Sequence, residues 1–207
     1  MAASDKTVHR LLEVAGRTYA QEAGIRLKDT PASLYQLLVL ATLLSARINA
    51  KIAVAAAAEL RRGGFTTPQR MRDASWQEIV DALGRAHYRR YDESTATALR
   101  DGAQLLIDRY HGDLRQLRGK NDMCRRLREI PRIGPAGVDI FCREVQAIWP
   151  ELRPYFDGKA LDSAKRVGLP MDPGKLADLV GDDQVADLAA ALVRATIDKD
   201  VREELAA

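Results

Sequence analysis

The sequence predicts an all-α protein, and three observations carry that prediction. Alanine and leucine dominate the 207 residues, and both favour helices. Apolar residues recur at three- and four-residue intervals, and no segment sustains period-two alternation. Helix punctuation also recurs, with a capping residue before the start, often followed by proline, and a glycine at the end. The length suffices for one or two domains with a real core. The net charge of +3 permits a nucleic-acid partner without requiring one. Two cysteines, Cys124 and Cys142, make no disulfide framework, so reduced thiols in a cytosolic protein are expected. No cysteine or histidine cluster offers a metal site. The longest apolar run, residues 37–44, is too short to span a bilayer, and no basic-then-apolar leader opens the chain. The expectation is a cytoplasmic monomer with no membrane partner.

Residues 5–23 read as the first helix, with Val8, Leu11, Leu12, Ala15 and Tyr19 on one stripe. A polar linker over 24–30 follows, and Thr30-Pro31 opens a second helix. From 34 to 44 that helix is apolar nearly all round, as a central buried helix must be. Polarity returns at Leu43-Leu44-Ser45-Ala46-Arg47. An alanine-rich helix over 50–61 ends at Gly63-Gly64. Ser75-Trp76-Gln77-Glu78 is a capping box, and Trp76 reads as core. Ala96, Leu99, Ala103, Leu106 and Tyr110 mark a long helix closing near His111-Gly112. After Trp149-Pro150 an extended segment leads to Asp157, an N-cap candidate for a helix that Gly168 closes. Asp172-Pro173 opens another helix, and Asp182 or Asp183 caps the last.

Two stretches hold candidate binding chemistry. Leu127-Arg128-Glu129-Ile130-Pro131-Arg132-Ile133-Gly134-Pro135-Ala136-Gly137-Val138 reads as helix, tight turn, helix. Gly134 suits the N-cap of the second helix and Pro135 its first position. The amides of Gly134, Ala136 and Gly137 then stand at the positive end of a helix dipole with little side chain around them, an arrangement that binds a phosphate oxygen. The same residues also make an ordinary corner between helices. The second stretch is Arg85-Ala86-His87-Tyr88-Arg89-Arg90-Tyr91, where basic side chains interleave with tyrosines. Arginine contacts phosphate and tyrosine stacks on bases, so Tyr88, Arg89, Arg90 and Tyr91 are pocket or DNA-contact candidates. A solvated turn before a long helix reads the same way.

In this order the parts resemble the helix-hairpin-helix glycosylase superfamily (HhH-GPD), in particular endonuclease III and its relatives. Leu43-Leu44-Ser45-Ala46-Arg47 is similar to that family's DNA-inserting Leu-Leu-Ser-Ala-Gln turn. Leu127 to Phe141 is similar to its hairpin. Phe156-Asp157 through Gly168-Leu169 is similar to its aspartate segment, with glycine eleven residues after the aspartate in both. The resemblance spans roughly residues 33–169. It implies two helical lobes forming one glycosylase-like unit over 1–207, with the hairpin at the cleft. One lobe is 31–148, and the other joins 1–30 to 149–207. It implies duplex DNA as partner, bound through Arg47, Arg132, Gly134, Ala136 and Gly137, and Asp157 as the carboxylate that supports hydrolysis of an N-glycosidic bond.

The departures are specific. Ala136 stands where bifunctional members carry a nucleophilic lysine, so no lyase chemistry is expected. Arg132 replaces the first hairpin glycine, Pro135 a basic residue, and Arg47 the inserting glutamine. No cysteine follows Cys142, so no iron–sulfur cluster and no other cofactor is expected. Asp139 and Glu144 read as solvated or structural. The expected function is therefore that of a monofunctional DNA base-excision-repair glycosylase; the alternative is a non-catalytic DNA-binding or lesion-recognition protein of the same fold, and a helical interaction module without a DNA role is the third reading.

Overall fold

A computed structural model describes residues 3–206. Its helices are α1 (Ala3–Ala15), α2 (Tyr19–Glu22), α3 (Pro31–Leu44), α4 (Ala50–Arg62), α5 (Pro68–Asp73), α6 (Trp76–Arg85) and α7 (Asp92–Tyr110). They continue with α8 (Met123–Leu127), α9 (Pro135–Val145), α10 (Gly158–Arg166), α11 (Pro173–Ala177), α12 (Val185–Ile197) and α13 (Lys199–Ala206). Among the described residues there is no strand, so the all-α expectation holds. None of the described helices is long and apolar enough to cross a membrane.

The chain from Ala20 to Phe141 forms one compact unit. Its central helix is α3, where Leu34, Leu37, Leu40 and Leu43 are each wholly buried. A helix apolar on every side has no face for water, which is why it lies inside. Thr30 starts it, accepting from the Ser33 amide, with Pro31 in the first turn. The capping box at Ser75 and Glu78 is formed on both sides. α4 packs on α3, α6 on α4, and α7 on both α6 and α5. The turn after α8 lies close against α7, and a Cβ on Gly102 would come 3.2 Å from Ile130 Cγ2.

The other unit joins the chain up to Tyr19 with the chain from Cys142 onward. Here α12 is central, with α1, α10 and α13 packed on it. Val8, Leu11, Phe156, Leu169, Leu188 and Leu192 share its core.

The helix expected over 5–23 is two helices, α1 and α2, broken after Ala15. At Gly16 a Cβ would meet the Leu12 carbonyl oxygen at 2.4 Å, so the break needs glycine. α5 and α13 add to the helices that the sequence predicts, and Thr67-Pro68 opens α5 by the same cap-and-proline rule as Thr30-Pro31. The compact units divide at 19/20 and 141/142, whereas the sequence reading divides the chain at 30/31 and 148/149. The polar linker goes with the Ala20–Phe141 unit because Ile25 in it is buried and Asp29 pairs with Arg118. The second boundary falls inside α9, where no composition change marks it.

Candidate nucleic-acid interface

Within the Ala20–Phe141 unit, two stretches far apart in sequence meet. The first is the end of α3. Ser45 turns its hydroxyl back to the Ala41 carbonyl at 2.5 Å, a bond that competes with helix continuation. Arg47 beyond it is exposed and pairs with no described residue. Asn49 then caps α4, its side chain accepting from the Lys51 amide at 2.8 Å.

The second stretch is the helical hairpin. Leu127, Ile130, Ile133, Val138 and Phe141 are buried and anchor it. α9 begins at Pro135, and the Gly134 carbonyl accepts from the Val138 amide at 3.1 Å, so Gly134 is the N-cap and Pro135 the first helical residue, as the sequence predicts. The first-turn amides of a helix have no partner within it. Around Gly134 the space is open, since a Cβ there would meet nothing within 4 Å. Pro135 and Ala136 are exposed. Gly137 is different. It is buried, and a Cβ on it would lie 2.8 Å from Ser45 Oγ. The serine turn is thus seated on the first turn of α9.

Arg132 has φ of 65°, the left-handed region that favours glycine. This explains why a glycine suits that position and what its replacement costs. The guanidinium does not reach forward. Its Nη2 donates to Ser94 Oγ at 2.7 Å and its Nη1 to Thr95 Oγ1 at 3.2 Å. It also lies 6.0 Å from the centre of the Tyr91 ring, and the Arg90 guanidinium lies 5.3 Å from the same ring, within reach of a cation–π attraction. Arg132 therefore ties the hairpin to the start of α7.

Of the other aromatic and basic candidates, Arg89 and Arg90 are exposed and Tyr91 is half-buried. They line a surface groove with Trp76, Glu93 and Ser94. Tyr88 does not join them. Its ring is wholly buried, and burial pushes the phenol above its ordinary pKa. It is core, and alternation along a loop could not reveal that. Trp76, read as core, is partly exposed, and its indole N–H donates to the Glu93 carbonyl and Thr97 Oγ1.

Asp157 lies in the other unit. It caps α10 as expected, its Oδ1 accepting from the Ala160 amide at 2.9 Å. Its Oδ2 is taken by Arg143 Nη1, and both side chains are 3% exposed. Gln146 fixes the segment that precedes Asp157. Its side chain donates to the Tyr155 carbonyl and accepts from the Tyr155 amide, each at 2.8 Å, and so pins the extended segment. Glu144 is wholly buried, with Oε1 accepting from the Tyr19 amide at 2.9 Å, which makes it structural rather than solvated. Arg143 and Gln146 escape a sequence reading because a polar residue on a helix ordinarily marks a wet face. Among the described residues no group of histidines, cysteines and acids could hold a metal ion. Cys124 is exposed and Cys142 buried, and neither is in a disulfide.

By class, the chain is an all-α protein whose helical hairpin presents a glycine-opened helix start beside a serine turn. No family model matches its sequence, and no curated protein matches it. Its fold is that of solved endonuclease III structures. One is a trapped endonuclease III–DNA covalent intermediate in an estranged-adenine complex, with a TM-score of 0.52 and 15% identity over 94% of this chain and 86% of that one. Another is a non-covalent endonuclease III–DNA complex, with a TM-score of 0.53 and 14% identity over the same shares. At such identities the likeness establishes the fold.

Proposed function

We propose that this protein binds duplex DNA and serves base-excision repair as a damage-recognition protein of the glycosylase fold, without lyase chemistry and without an iron–sulfur cluster. The observation that carries the reading is the seat of Ser45 on Gly137. It sets the exposed Arg47 turn and the open Gly134 cap side by side on one unit. The cap supplies amides and dipole for a phosphate, and Arg47 is a free cationic side chain of the length needed to fill the gap left by a flipped nucleotide. The solved structures of the same fold are DNA complexes.

Hydrolysis of an N-glycosidic bond by Asp157 is the second reading, favoured by a buried carboxylate at the start of α10 where the resemblance puts one. The resting geometry weighs against it. A carboxylate helps a glycosidic cleavage by opposing the positive charge that builds on the sugar, and the Asp157 charge is already balanced by Arg143.

The experiment is a panel of duplexes, each with one damaged or mismatched base. Each is tested for binding, then for abasic sites revealed by alkali, and for adducts trapped with borohydride. Selective retention of one lesion, with no alkali-labile sites and no adduct, is the expected result. Alkali-labile sites that vanish in Asp157→Asn would transfer the assignment to hydrolysis. A trapped adduct, which needs an amine nucleophile, would overturn the lyase-free reading, and Lys159 beside Asp157 would then be the residue to replace. Equal, weak binding to every duplex would refute damage recognition.

A further inference from the structure

We infer, on the reading proposed above that the hairpin binds duplex DNA, that Arg132 is a positioning residue for that binding. Its guanidinium bridges the hairpin turn to the start of α7. The bridge holds the Gly134 cap and the loop 89–91 as one prearranged surface, and the guanidinium itself touches no phosphate.

The backbone of Arg132 has φ of 65°, a conformation that costs any residue but glycine. Such strain persists only where the surroundings hold it. Here one helix grips the turn at two places. In the middle of α7 a Cβ on Gly102 would come 3.2 Å from Ile130 Cγ2 and 3.8 Å from Pro131 Cδ. Eight residues earlier in the same helix, about 12 Å away, Ser94 and Thr95 accept from the Arg132 guanidinium. Thr95 is 1% exposed, so that anchor is fixed in the core. Ser94 donates its own proton to the Tyr91 carbonyl at 3.2 Å. This leaves a lone pair for Arg132 and ties the loop into the same bridge. Beyond Arg132, Ile133 is buried, and its Cδ1 lies 3.2 Å from where a Cβ on Gly137 would stand. The turn thus passes its position on to the first turn of α9.

A surface already in place binds without the cost of ordering it. Held at Gly102 alone, the turn stays on α7 but can pivot, and DNA must then order the cap as it binds. The contribution of Arg132 to affinity is therefore geometric, and the number of phosphates contacted does not depend on it.

The test measures duplex affinity of the full chain across a salt series. It compares wild type, Arg132→Gly, the pair Ser94→Ala with Thr95→Val, and all three substitutions together. Glycine is chosen because it adopts φ of 65° without strain, so the variant loses the bridge and keeps the turn. Arg132→Gly should bind about three- to tenfold more weakly, with the slope of log affinity against log salt unchanged. The pair variant should lose as much, and the triple variant no more, because every one of them removes the same bridge. In the free protein the Ile133 amide, which donates to the Ile130 carbonyl at 3.0 Å, should exchange with solvent faster in Arg132→Gly. A slope lower by about one in Arg132→Gly would overturn the inference in favour of a direct phosphate contact. So would tighter binding by the pair variant, which frees the guanidinium, and so would losses that simply add in the triple variant. Unchanged affinity in folded Arg132→Gly, or in Ser94→Ala should Arg132→Gly fail to fold, would refute the positioning role while leaving DNA binding intact. Wild type that binds no duplex would instead refute DNA binding, and the inference with it.

Discussion

The hydroxyl oxygen of Ser45 lies 2.8 Å from where a Cβ on Gly137 would stand. Two stretches separated by most of the Ala20–Phe141 unit are thereby fitted to each other at the scale of one methyl group. Gly137→Ala forces one of them to move, and overpacking of this kind costs about 1–3 kcal/mol. Ser45→Ala removes the oxygen that would be struck. The double variant should therefore be more stable than the sum of the single effects predicts, with a coupling of about 0.5–3 kcal/mol by denaturant unfolding. Strict additivity would mean the two stretches are not in contact.

Gly134 offers a test in which stability and binding separate. A side chain there meets nothing within 4 Å. Asparagine at an N-cap accepts from the amide two or three positions on, and differs from glycine there by only a few tenths of a kcal/mol. In Gly134→Asn that acceptor occupies the amides of Ala136 or Gly137, which the phosphate would use. The thermal midpoint should hold or rise slightly while affinity falls alike for every duplex sequence, because phosphate contacts carry no sequence information. Unchanged affinity would remove the hairpin from the DNA interface.

Arg132 invites a comparison of two small residues. Both Arg132→Gly and Arg132→Ala lose the bonds to Ser94 and Thr95. Only glycine is comfortable at φ of 65°. Arg132→Gly should therefore be the more stable of the two, by about 1 kcal/mol. The sequence reading expects Arg132 to contact phosphate, which would flatten the salt dependence of binding by roughly one phosphate in either variant. With the guanidinium tied to α7, that slope should stay as in wild type. A loss of about one in slope would show that Arg132 leaves Ser94 to reach DNA.

At low pH the chain before the hairpin carries a sensitive group. Asp122 receives hydrogen bonds from Arg126 at 2.8 Å and Arg125 at 2.6 Å. The Arg126 bond, with a smaller part from Arg125, holds its pKa down at about 2. A carboxyl whose pKa is depressed on folding stabilises the folded state above its unfolded value, near 3.9, and that contribution disappears as pH falls through the folded value. Asp122→Asn should therefore lose stability at neutral pH and show a shallower decline between about pH 4 and 2 in thermal melts. An identical acid limb in both proteins would contradict the pairing.

What the sequence determined by itself is local. Thr30, Ser75, Asp157 and Asp172 each cap the helix read from them. The apolar run of α3 is the buried centre of its unit, and Gly134-Pro135 opens α9. These follow because a cap or a helical period involves residues within one or two turns, so its physics is written in consecutive letters. The tertiary structure alone decided the rest. It buried Tyr88 while leaving Arg89 and Arg90 out. It bound the Arg132 guanidinium to hydroxyls 37 and 38 residues away, seated Ser45 on Gly137, and put Arg143 on Asp157. Each of these depends on which surfaces meet when helices pack. A polar side chain on a helix has the same sequence signature whether it faces water or a buried partner of opposite charge.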